Sequence, residues 1–490
     1  MVGSPPTDKV SQLARRGAAW SAGLIIGQHL VRLAATAILA RILLPSDYGL
    51  VGMAGVLIVF LQQFSDAGLS LATVQREDLR HEQVHSLFWV NVAIGAMLWA
   101  ACLAGAPIVA WFFERAELGN IVVVLGAAFL ISGFSVQPLA LLKRQMRFKS
   151  LAILEISTQS AAALVGVVMA IAGFGYWALV GQALAGPVVR TAFGVLVSGY
   201  RPRWPGSSEG LFPLVSLGGY LAAYAFVNYF ARNLDNILVG KVWGAEALGY
   251  YGRAYFLMSL PSLMVTGTLA QVMVPALARF QNDSQRLGEA YRRAVRLIGF
   301  VGFPLAGGLA IAAPELIRLV YGPNWAPVVP ILFWLAIAGI SQPIHNTMGW
   351  LFVAKGKGRE MFMWGIVAST VLSAAFLWGV RSGPVGVAAA YAIAMTFVLT
   401  IPALFVAHKS VGLQLATTLK PLVPLLGSTA IMMAAVYGVG VTAVGRGAGW
   451  PVVLCSKVTA GILVYGLLSG LLLREELGDL VTNVKLAWRG

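Results

Sequence analysis

Residues 87–112 read LFWVNVAIGAMLWAACLAGAPIVAWF, twenty-six consecutive positions without an Asp, Glu, Lys or Arg. A helix of roughly 20 apolar residues crosses the ~30 Å hydrocarbon core of a bilayer. Strands of a membrane barrel would alternate apolar and polar residues, and this run does not alternate. Because backbone groups in lipid must be hydrogen-bonded internally, the stretch is predicted to be a transmembrane helix.

The same pattern extends outward from this run over the whole chain. The 490 residues are 58% hydrophobic and 11% charged, whereas soluble domains carry about 25% charged residues. The sequence therefore predicts an all-α integral membrane protein with about fourteen transmembrane helices. The predicted spans are 17–39, 50–70, 87–112, 119–142, 151–172, 176–198, 212–231, 250–274, 295–313, 328–352, 362–380, 384–406, 421–443 and 450–473.

The net charge of +16 is concentrated in alternate loops. This asymmetry is typical of cytoplasmic loops and of attraction to anionic membrane lipids, so nucleic acid is not a predicted partner. With an even number of spans, both termini are predicted to be cytoplasmic and the protein to lie in the cell inner membrane. The cations assigned to cytoplasmic loops are Lys143, Arg144, Arg147, Lys149, Arg279, Arg286, Arg292, Arg293, Arg296, Lys355, Lys357 and Arg359.

Catalytic and cofactor motifs are not found. The run KGKGRE at 355–360 lacks the Walker A pattern, and no histidine spacing matches a metal-ligand motif. The longest external loop, predicted around 232–249, has fewer than 20 residues. An integral-membrane glycan polymerase or ligase would need a larger one, so the chain is predicted not to be an enzyme and to need no cofactor.

A shift of 200 residues reveals an internal repeat. It aligns Arg32 with Arg232 and Gly49 with Gly249, and it also aligns Gly52 with Gly252. We predict an N-terminal lobe at 1–200, a second six-helix lobe at 201–410, and a C-terminal helix pair with a tail at 411–490. Six helices is an even number, so the two repeats would have parallel topology, with the substrate path between the lobes.

Ionisable residues inside spans are costly, and they usually face a bundle interior or a wet cavity. Arg32 is predicted in the outer half of the first span, Arg232 near the outer end of the seventh, and Arg253 at the opening of the eighth. Arginine pairs bidentately with phosphate oxygens, so these cations are candidates for binding a pyrophosphate, with Gln28 on the Arg32 face contacting sugar hydroxyls. Alternatively, Arg232 pairs with Asp235 and Arg253 extends to the interface.

Two acidic residues are candidates for coupling transport to an ion gradient. Asp235 follows Arg232 on the same helical face. Glu155 lies one turn into the fifth span, and a local pair with Lys149 or Arg147 is the simpler alternative. Lys457 in the last span is expected to extend to the interface. Tryptophans at span ends are predicted to form an aromatic belt: Trp89, Trp111, Trp177, Trp243, Trp325 and Trp450.

Three stretches carry a family resemblance. The run ARILLPSDYGLVGMAGVLIVFLQQFSDAGLSLATVQ at 40–75 resembles the Wzx-type polysaccharide flippases of the multidrug/oligosaccharidyl-lipid/polysaccharide exporter superfamily. The runs NLDNILVGKVWGAEALGYYGRAY at 233–255 and LLKRQMRF at 141–148 are similar to the same family. The resemblance covers about residues 10–410 and is closest to the exopolysaccharide subgroup that includes colanic acid and xanthan export.

The resemblance implies a MATE-like, V-shaped fold of two lobes plus two C-terminal helices that works by alternating access. The implied substrate is an undecaprenyl-pyrophosphate oligosaccharide, moved from the cytoplasmic to the periplasmic leaflet for exopolysaccharide, capsule or O-antigen synthesis. A proton or sodium gradient, or the membrane potential, would drive the transport. Arg32, Arg232 and Arg253 match cavity cations of related flippases by helix. The last two helices would bind the lipid tail, and a polysaccharide polymerase and a chain-length regulator would be partners.

Two other transporter functions stay open. A cation-coupled multidrug antiporter of the same superfamily typically has twelve helices and an acidic cavity, whereas the candidate cavity residues here are mainly basic. A peptidoglycan lipid II flippase would share the basic cavity. Both are alternatives to export of a surface polysaccharide unit.

Overall fold

The computed structural model describes residues 27–28, 31–65, 73, 81–204, 212–262 and 266–472; within 212–262, the side chains of 212–228 and 230–232 lie outside that description. All regular structure in these ranges is helical, which confirms the predicted all-α class. The chain divides into two compact units, Met1–Gly249 and Tyr250–Gly490. The predicted boundaries at residues 200 and 410 stay predictions.

The first unit contains six helices in the described ranges and the beginning of a seventh. They are α1 (31–42), α2 (Pro45–Gln62), α3 (His81–Phe113), α4 (Glu117–Arg144), α5 (Phe148–Ile171), α6 (Trp177–Ser198) and the first part of α7 (Phe212–Ser262).

Local sequence signals explain several helix ends in this unit. Pro45 occupies the first turn of α2, where its missing N–H costs nothing, and Asp47 Oδ2 accepts the Leu44 backbone N–H at 2.9 Å. The basic end of α4 faces carbonyl oxygens, because Arg144 donates to the Thr73 carbonyl at 3.0 Å. Cations at a helix C-terminus also complement its dipole.

The second unit contains the end of α7 and the remaining helices. They are α8 (Thr268–Arg279), α9 (Ser284–Ile311), α10 (Ala313–Val320), α11 (Val328–Asn346), α12 (Met348–Ala354), α13 (Gly358–Gly379), α14 (Gly383–Ile393), α15 (Thr400–Val411), α16 (Leu415–Leu419), α17 (Leu422–Gly445) and α18 (Trp450–Leu472). A π-helical segment, Ala394–Leu399, joins α14 to α15.

The core of the second unit forms around α9. Tyr291 and Ile298 on α9 are fully buried with Leu351 and Phe352 of α12 and Leu404 of α15. The Tyr291 hydroxyl lies 2.8 Å from Thr347 Oγ1, so its polar end is satisfied inside the core. Large apolar side chains on the outward faces of the helices are exposed instead, as contact with lipid tails requires.

Ten helical segments of the described chain are long and apolar enough to cross a membrane, which confirms a multi-pass membrane protein. One of them, Gly358–Val411, is long enough for two of the predicted spans. The ten segments account for the predicted spans from 50–70 to 176–198 and from 295–313 to 450–473. The three remaining predicted spans are 17–39, 212–231 and 250–274. They overlap α1 and the parts of α7 before and after its break at Gly244.

The predicted external loop at 232–249 is wrong. Helix α7 continues through this stretch and is broken only at Gly244, whose φ of 83° and ψ of −176° are non-helical. A glycine adopts this left-handed φ without a Cβ clash. The polar residues of the stretch suggested a loop, but its apolar residues pack as a helical face, with Leu248 and Val239 buried.

Candidate functional site

The break at Gly244 divides α7 into two helical arms, and this changes where Arg232 and Arg253 lie in their helices. Arg232 lies twelve residues before Gly244, about 18 Å along a helix axis, so it is not near the end of its span as predicted. Arg253 lies nine residues after Gly244, about 13 Å along the other arm, and does not open that arm. The backbone of Arg232 is helical, and its side chain lies outside the described residues.

Asp235 and Arg253 are held in different surroundings. Asp235 is buried, and its Oδ1 accepts the Asn236 backbone N–H at 2.8 Å. The Arg253 guanidinium lies over the Phe256 ring, 5.5 Å from its centroid, and the Arg253 carbonyl accepts the Tyr321 hydroxyl at 3.3 Å. A guanidinium over an aromatic face is an attractive cation–π contact, and Arg253 is partly buried.

Arg32 and Gln28 lie in the helical N-terminal segment. Gln28 is half-buried and Arg32 is exposed in α1. Arg32 precedes the non-helical Leu44 by twelve residues, the same separation as that between Arg232 and Gly244. The equal separations agree with the predicted repeat, which stays a prediction, as do the substrate-binding roles of Gln28, Arg32, Arg232 and Arg253.

Glu155 forms an ion pair that the sequence did not reveal. Its Oε2 lies 2.5 Å from Nη2 of Arg190 on the neighbouring helix α6. The predicted local pairing is wrong, because Arg147 donates instead to the Val197 carbonyl at 2.9 Å, and Lys149 is on a different side of α5 from Glu155. Arg190 is the only charged residue of the predicted span 176–198. Because ionisable residues inside spans usually face a bundle interior or a wet cavity, the reasoning that selected Arg32 would also have selected Arg190.

A reciprocal pair of glycine contacts joins α2 to α7 within the first unit. A Cβ added to Gly49 would overlap the Ala245 carbonyl oxygen, and a Cβ added to Gly249 would overlap the Pro45 carbonyl oxygen. A shift of 200 residues converts one contact into the other. Each glycine therefore lets its helix approach the opposite backbone directly, in the arrangement of an interface with local twofold symmetry.

Further contacts extend this junction along α2 and α7. Tyr229 donates its hydroxyl to the Val56 carbonyl and packs against Phe60, with ring centroids 5.4 Å apart. Lys241 Nζ lies 2.6 Å from Glu114 Oε1 in the turn between α3 and α4. The hydrogen bond and charge of Lys241 hold the pKa of Glu114 below its usual range, so this exposed pair persists at neutral pH and is lost only on strong acidification.

Lys457 does not extend to the interface as expected. Its Nζ donates to both carboxylate oxygens of Glu315 at 2.8 Å and to the Ile311 carbonyl at 3.1 Å. The two side chains are only 9% and 10% exposed. Gly440 on α17 leaves room for the lysine, because a Cβ there would overlap its Cε. The pair joins α18 to the first turn of α10, and sequence analysis did not identify Glu315 as the partner of Lys457.

Among the residues that the structure describes, no group of three or more His, Cys, Asp or Glu side chains could hold a metal ion. Its charged groups include the pairs Arg190–Glu155, Lys241–Glu114 and Lys457–Glu315.

Comparison with known proteins begins with the sequence. A family model described as "Polysaccharide biosynthesis protein" matches residues 38–330, more than half of the chain. The chain is 26% identical over 405 residues to the lipopolysaccharide biosynthesis protein WzxC of Escherichia coli K12, and the aligned region covers 81% of each protein. It is 26% identical over 370 residues to the succinoglycan biosynthesis transport protein ExoT of Rhizobium meliloti, covering 75% of this chain and 74% of ExoT.

Solved structures show the fold. The chain superposes on the lipid II flippase MurJ in an inward closed conformation with a TM-score of 0.73, 14% identity, and coverage of 94% of this chain and 99% of MurJ. An inward-facing multidrug resistance MATE family transporter of the MOP superfamily gives a TM-score of 0.65 at 15% identity, covering 79% of this chain and 94% of that protein. The fold is thus the one shared by these transporters.

Proposed function

The chain belongs to the polysaccharide biosynthesis protein family, and from this premise we propose that it is a Wzx-type flippase for lipid-linked oligosaccharides. The family match is the observation that carries the proposal. Its relatives WzxC and ExoT are named for lipopolysaccharide biosynthesis and succinoglycan transport. The substrate would be an undecaprenyl-pyrophosphate oligosaccharide repeat unit, moved from the cytoplasmic to the periplasmic leaflet.

The reciprocal glycine contact supports transport by alternating access. It holds the α2 and α7 hairpins together at the end of the molecule that the loop charges assign to the outside. In an alternating-access cycle this contact would be closed in one state and separated in the other. Opening it would expose the sugars to the periplasm while the polyprenyl tail stayed in lipid, and a substrate that binds one state better shifts the population.

Charged groups inside the membrane fit an anionic substrate. Arg32, Arg232 and Arg253 would bind the pyrophosphate, since arginine stays charged and pairs with phosphate oxygens, and Gln28 would contact the sugars. A proton or sodium gradient would drive the cycle through Asp235 or Glu155. Loss of export in Arg32→Ala and Arg232→Ala variants that still fold is the expected result, and export at the wild-type rate contradicts pyrophosphate capture by these residues.

Location and partners follow from the same proposal. The protein would lie in the cell inner membrane with both termini in the cytoplasm, and the C-terminal helices α17 and α18 would accommodate the lipid tail. A polysaccharide polymerase would consume the flipped unit at the periplasmic face. A chain-length regulator would then act on the polymer.

The two alternatives have a basis in the fold. Because the fold is that of MurJ, a lipid II flippase is one alternative. Because it is also that of a multidrug transporter, a cation-coupled drug antiporter is another. The family match is described by polysaccharide biosynthesis and by neither alternative, and the mainly basic set of candidate cavity residues favours an anionic lipid-linked substrate over a drug.

The test is deletion of the gene, followed by analysis of surface polysaccharide and of the undecaprenyl-linked pool by mass spectrometry. We expect the polymer to disappear and the complete lipid-linked repeat unit to accumulate on the cytoplasmic leaflet, because assembly continues while export stops. Complementation with the intact gene is the control and must restore both.

Each alternative predicts a different pool. Accumulation of lipid II with intact surface polysaccharide would identify a peptidoglycan flippase. An unchanged lipid-linked pool with altered drug sensitivity would identify an antiporter. Single repeat units accumulating on the periplasmic leaflet would mean that flipping occurs without this chain and that polymerisation is the missing step.

A further inference from the structure

The ion pair between Glu155 and Arg190 lies between two helices that are both candidate membrane spans. The pair joins one nitrogen, Nη2, to one carboxylate oxygen. The side chains of Arg190 and Glu155 keep 38% and 40% exposure. Because both side chains are more than one-third exposed and lie within apolar candidate spans, the ion pair must face either lipid or an interior space.

The apolar faces of α5 decide between these surroundings. Its large exposed side chains recur at helical spacing in one stripe, formed by Ile153, Leu164, Val168 and Ile171. Leu164 is 65% exposed, and nine residues separate it from Glu155. At 3.6 residues per turn the two side chains point about 180° apart. Glu155 therefore faces away from the surface that α5 presents to lipid.

Helix α6 has the same organisation. Val188 and Leu196 are among its exposed apolar side chains. Arg190 is two residues from Val188, so it points about 160° away from it. Both members of the pair are thus exposed on faces directed away from lipid, which is the position of ionisable residues that line a polar interior.

We propose that Arg190 binds an oxyanion of the translocated substrate and that Glu155 is the positioning residue that holds Arg190 when the path is empty. This inference rests on the proposed flippase function, and it adds a binding residue to α6 that the predicted site on the first, seventh and eighth spans lacks. The oxyanion is either a phosphate of the lipid carrier or a carboxylate of an acidic sugar.

The chemistry of the guanidinium fits this role. Arginine presents five N–H donors in a planar fork that matches phosphate and carboxylate groups bidentately. In the described structure the side chain of Arg190 uses only Nη2, towards Glu155. The other donors can make the first contact with an incoming oxyanion, which then replaces Glu155 to gain the bidentate geometry. Between transport cycles Glu155 supplies the opposite charge that a cation within the membrane needs.

Partner exchange would make the binding reversible. A substrate oxyanion competes with Glu155 for the same fork, so release is assisted when the carboxylate returns. Gln159 lies one turn from Glu155 on the same side of α5 and is half-buried. Its amide can hydrogen-bond a neighbouring hydroxyl or phosphate oxygen of the substrate.

A binding role and a structural tie between α5 and α6 make opposite predictions. If the pair only joined the helices, Arg190→Gln and Glu155→Gln would lower stability and binding in parallel. If Glu155 competes with substrate, Arg190→Gln weakens oxyanion binding while Glu155→Gln strengthens it. The sign of the change in Glu155→Gln therefore separates the two roles.

The experiment uses the full chain in lipid nanodiscs and two probes, farnesyl pyrophosphate and a glucuronate-containing oligosaccharide. Affinity is measured by titration, together with the Tm of each variant. We expect Arg190→Gln to weaken binding of at least one probe about tenfold, Arg190→Lys to recover part of it, and Glu155→Gln to tighten it. A response to pyrophosphate alone identifies the lipid carrier, and a response to glucuronate alone identifies an acidic sugar.

Arg147→Gln is the matched control, since Arg147 is exposed and its Nη1 donates to a backbone carbonyl in the same unit; it should leave both affinities unchanged. An unaltered affinity in Arg190→Gln for both probes, or an unaltered or weaker affinity in Glu155→Gln, overturns the proposal.

These binding measurements do not depend on export, so they test the oxyanion site separately from the proposed function. Opposite effects in the two variants combined with a normal lipid-linked pool in the deletion strain would retain the oxyanion site and reject the flippase.

Discussion

Gly49 and Gly249 show how single residues determine the approach of two helices. Each lies where a carbonyl oxygen of the opposite hairpin would overlap any Cβ. Other glycines in the same helices, Gly55 in α2 and Gly252 in α7, have open space around the position of a Cβ. The four positions therefore form a matched set that separates helix propensity from close packing.

We expect Gly49→Ala and Gly249→Ala to lower stability by about 1–3 kcal/mol, the usual effect of overpacking. Gly55→Ala and Gly252→Ala should instead be neutral or stabilise by up to about 1 kcal/mol, because alanine favours helix. The Tm of each purified variant measures the difference, and export of surface polysaccharide should fall only in the first two. Equal Tm changes in all four variants would contradict a close contact at Gly49 and Gly249.

Residue-level prediction from the sequence succeeded in part. The repeat that pairs Gly49 with Gly249 was visible in the sequence, and the structure places both at one junction. The partner of Glu155 was missed because Arg190 is 35 residues away, and helical spacing relates only residues within a turn or two. Trp325 was assigned to the aromatic belt, but it is 1% exposed and packs against Tyr321, with ring centroids 5.3 Å apart.

At the scale of elements, the C-terminal helix α18 is tied to α10 by a buried ion pair. Lys457 and Glu315 are 142 residues apart and nearly inaccessible. Removing one partner of a buried pair leaves an uncompensated charge, which typically costs about 3–5 kcal/mol. Replacing both partners with apolar residues of similar size is often neutral.

We therefore expect Lys457→Met or Glu315→Leu alone to lower the Tm strongly, and the double variant to recover most of the loss. Lys357→Met is a suitable control, because Lys357 and Glu360 form an exposed pair at 3.6 Å whose loss should cost less than about 1 kcal/mol. Thermal unfolding in detergent provides the measurement. Additive losses in the double variant would show that the two charges do not stabilise each other.

The prediction of helices from the sequence failed where a helical stretch contains many polar residues. Residues 232–243 contain Arg, Asn, Asp and Lys and were predicted as a loop, yet they extend α7 to Gly244. Hydropathy measures mean apolarity over a window and does not detect a helix whose polar residues face protein. The sharp turn at Gly244 depends on one backbone conformation, which composition alone does not encode.

At the scale of the whole molecule, the predicted fold class and multi-pass architecture were confirmed because they depend on composition and length. The sidedness of the membrane stays a prediction. The turn at 114–116 between α3 and α4 should be periplasmic, and the turn at 145–147 between α4 and α5 should be cytoplasmic. The reason is that residues 143–149, which include the second turn, contain four cations, whereas the first turn contains only Arg115.

Alkaline phosphatase fusions after Arg115 and after Gln145 test this sidedness. The reporter needs disulfides that form only outside the cytoplasm, so the first fusion should be active and the second inactive. A cytoplasmic fluorescent reporter at the same two positions should give the inverse pattern and controls for expression. Activity after Gln145 alone would invert the molecule and place the basic loops outside.

The reciprocal junction at Gly49 and Gly249 also bears on how such a chain can arise. A surface that meets its own counterpart through a twofold operation is already complementary to a second copy of itself. A chain of half the length with this surface could dimerise through it. Fusion of two such copies would preserve the interface without further substitutions. Each half could then diverge, and the residues at the two hairpin turns do differ, Leu44 in one and Gly244 in the other.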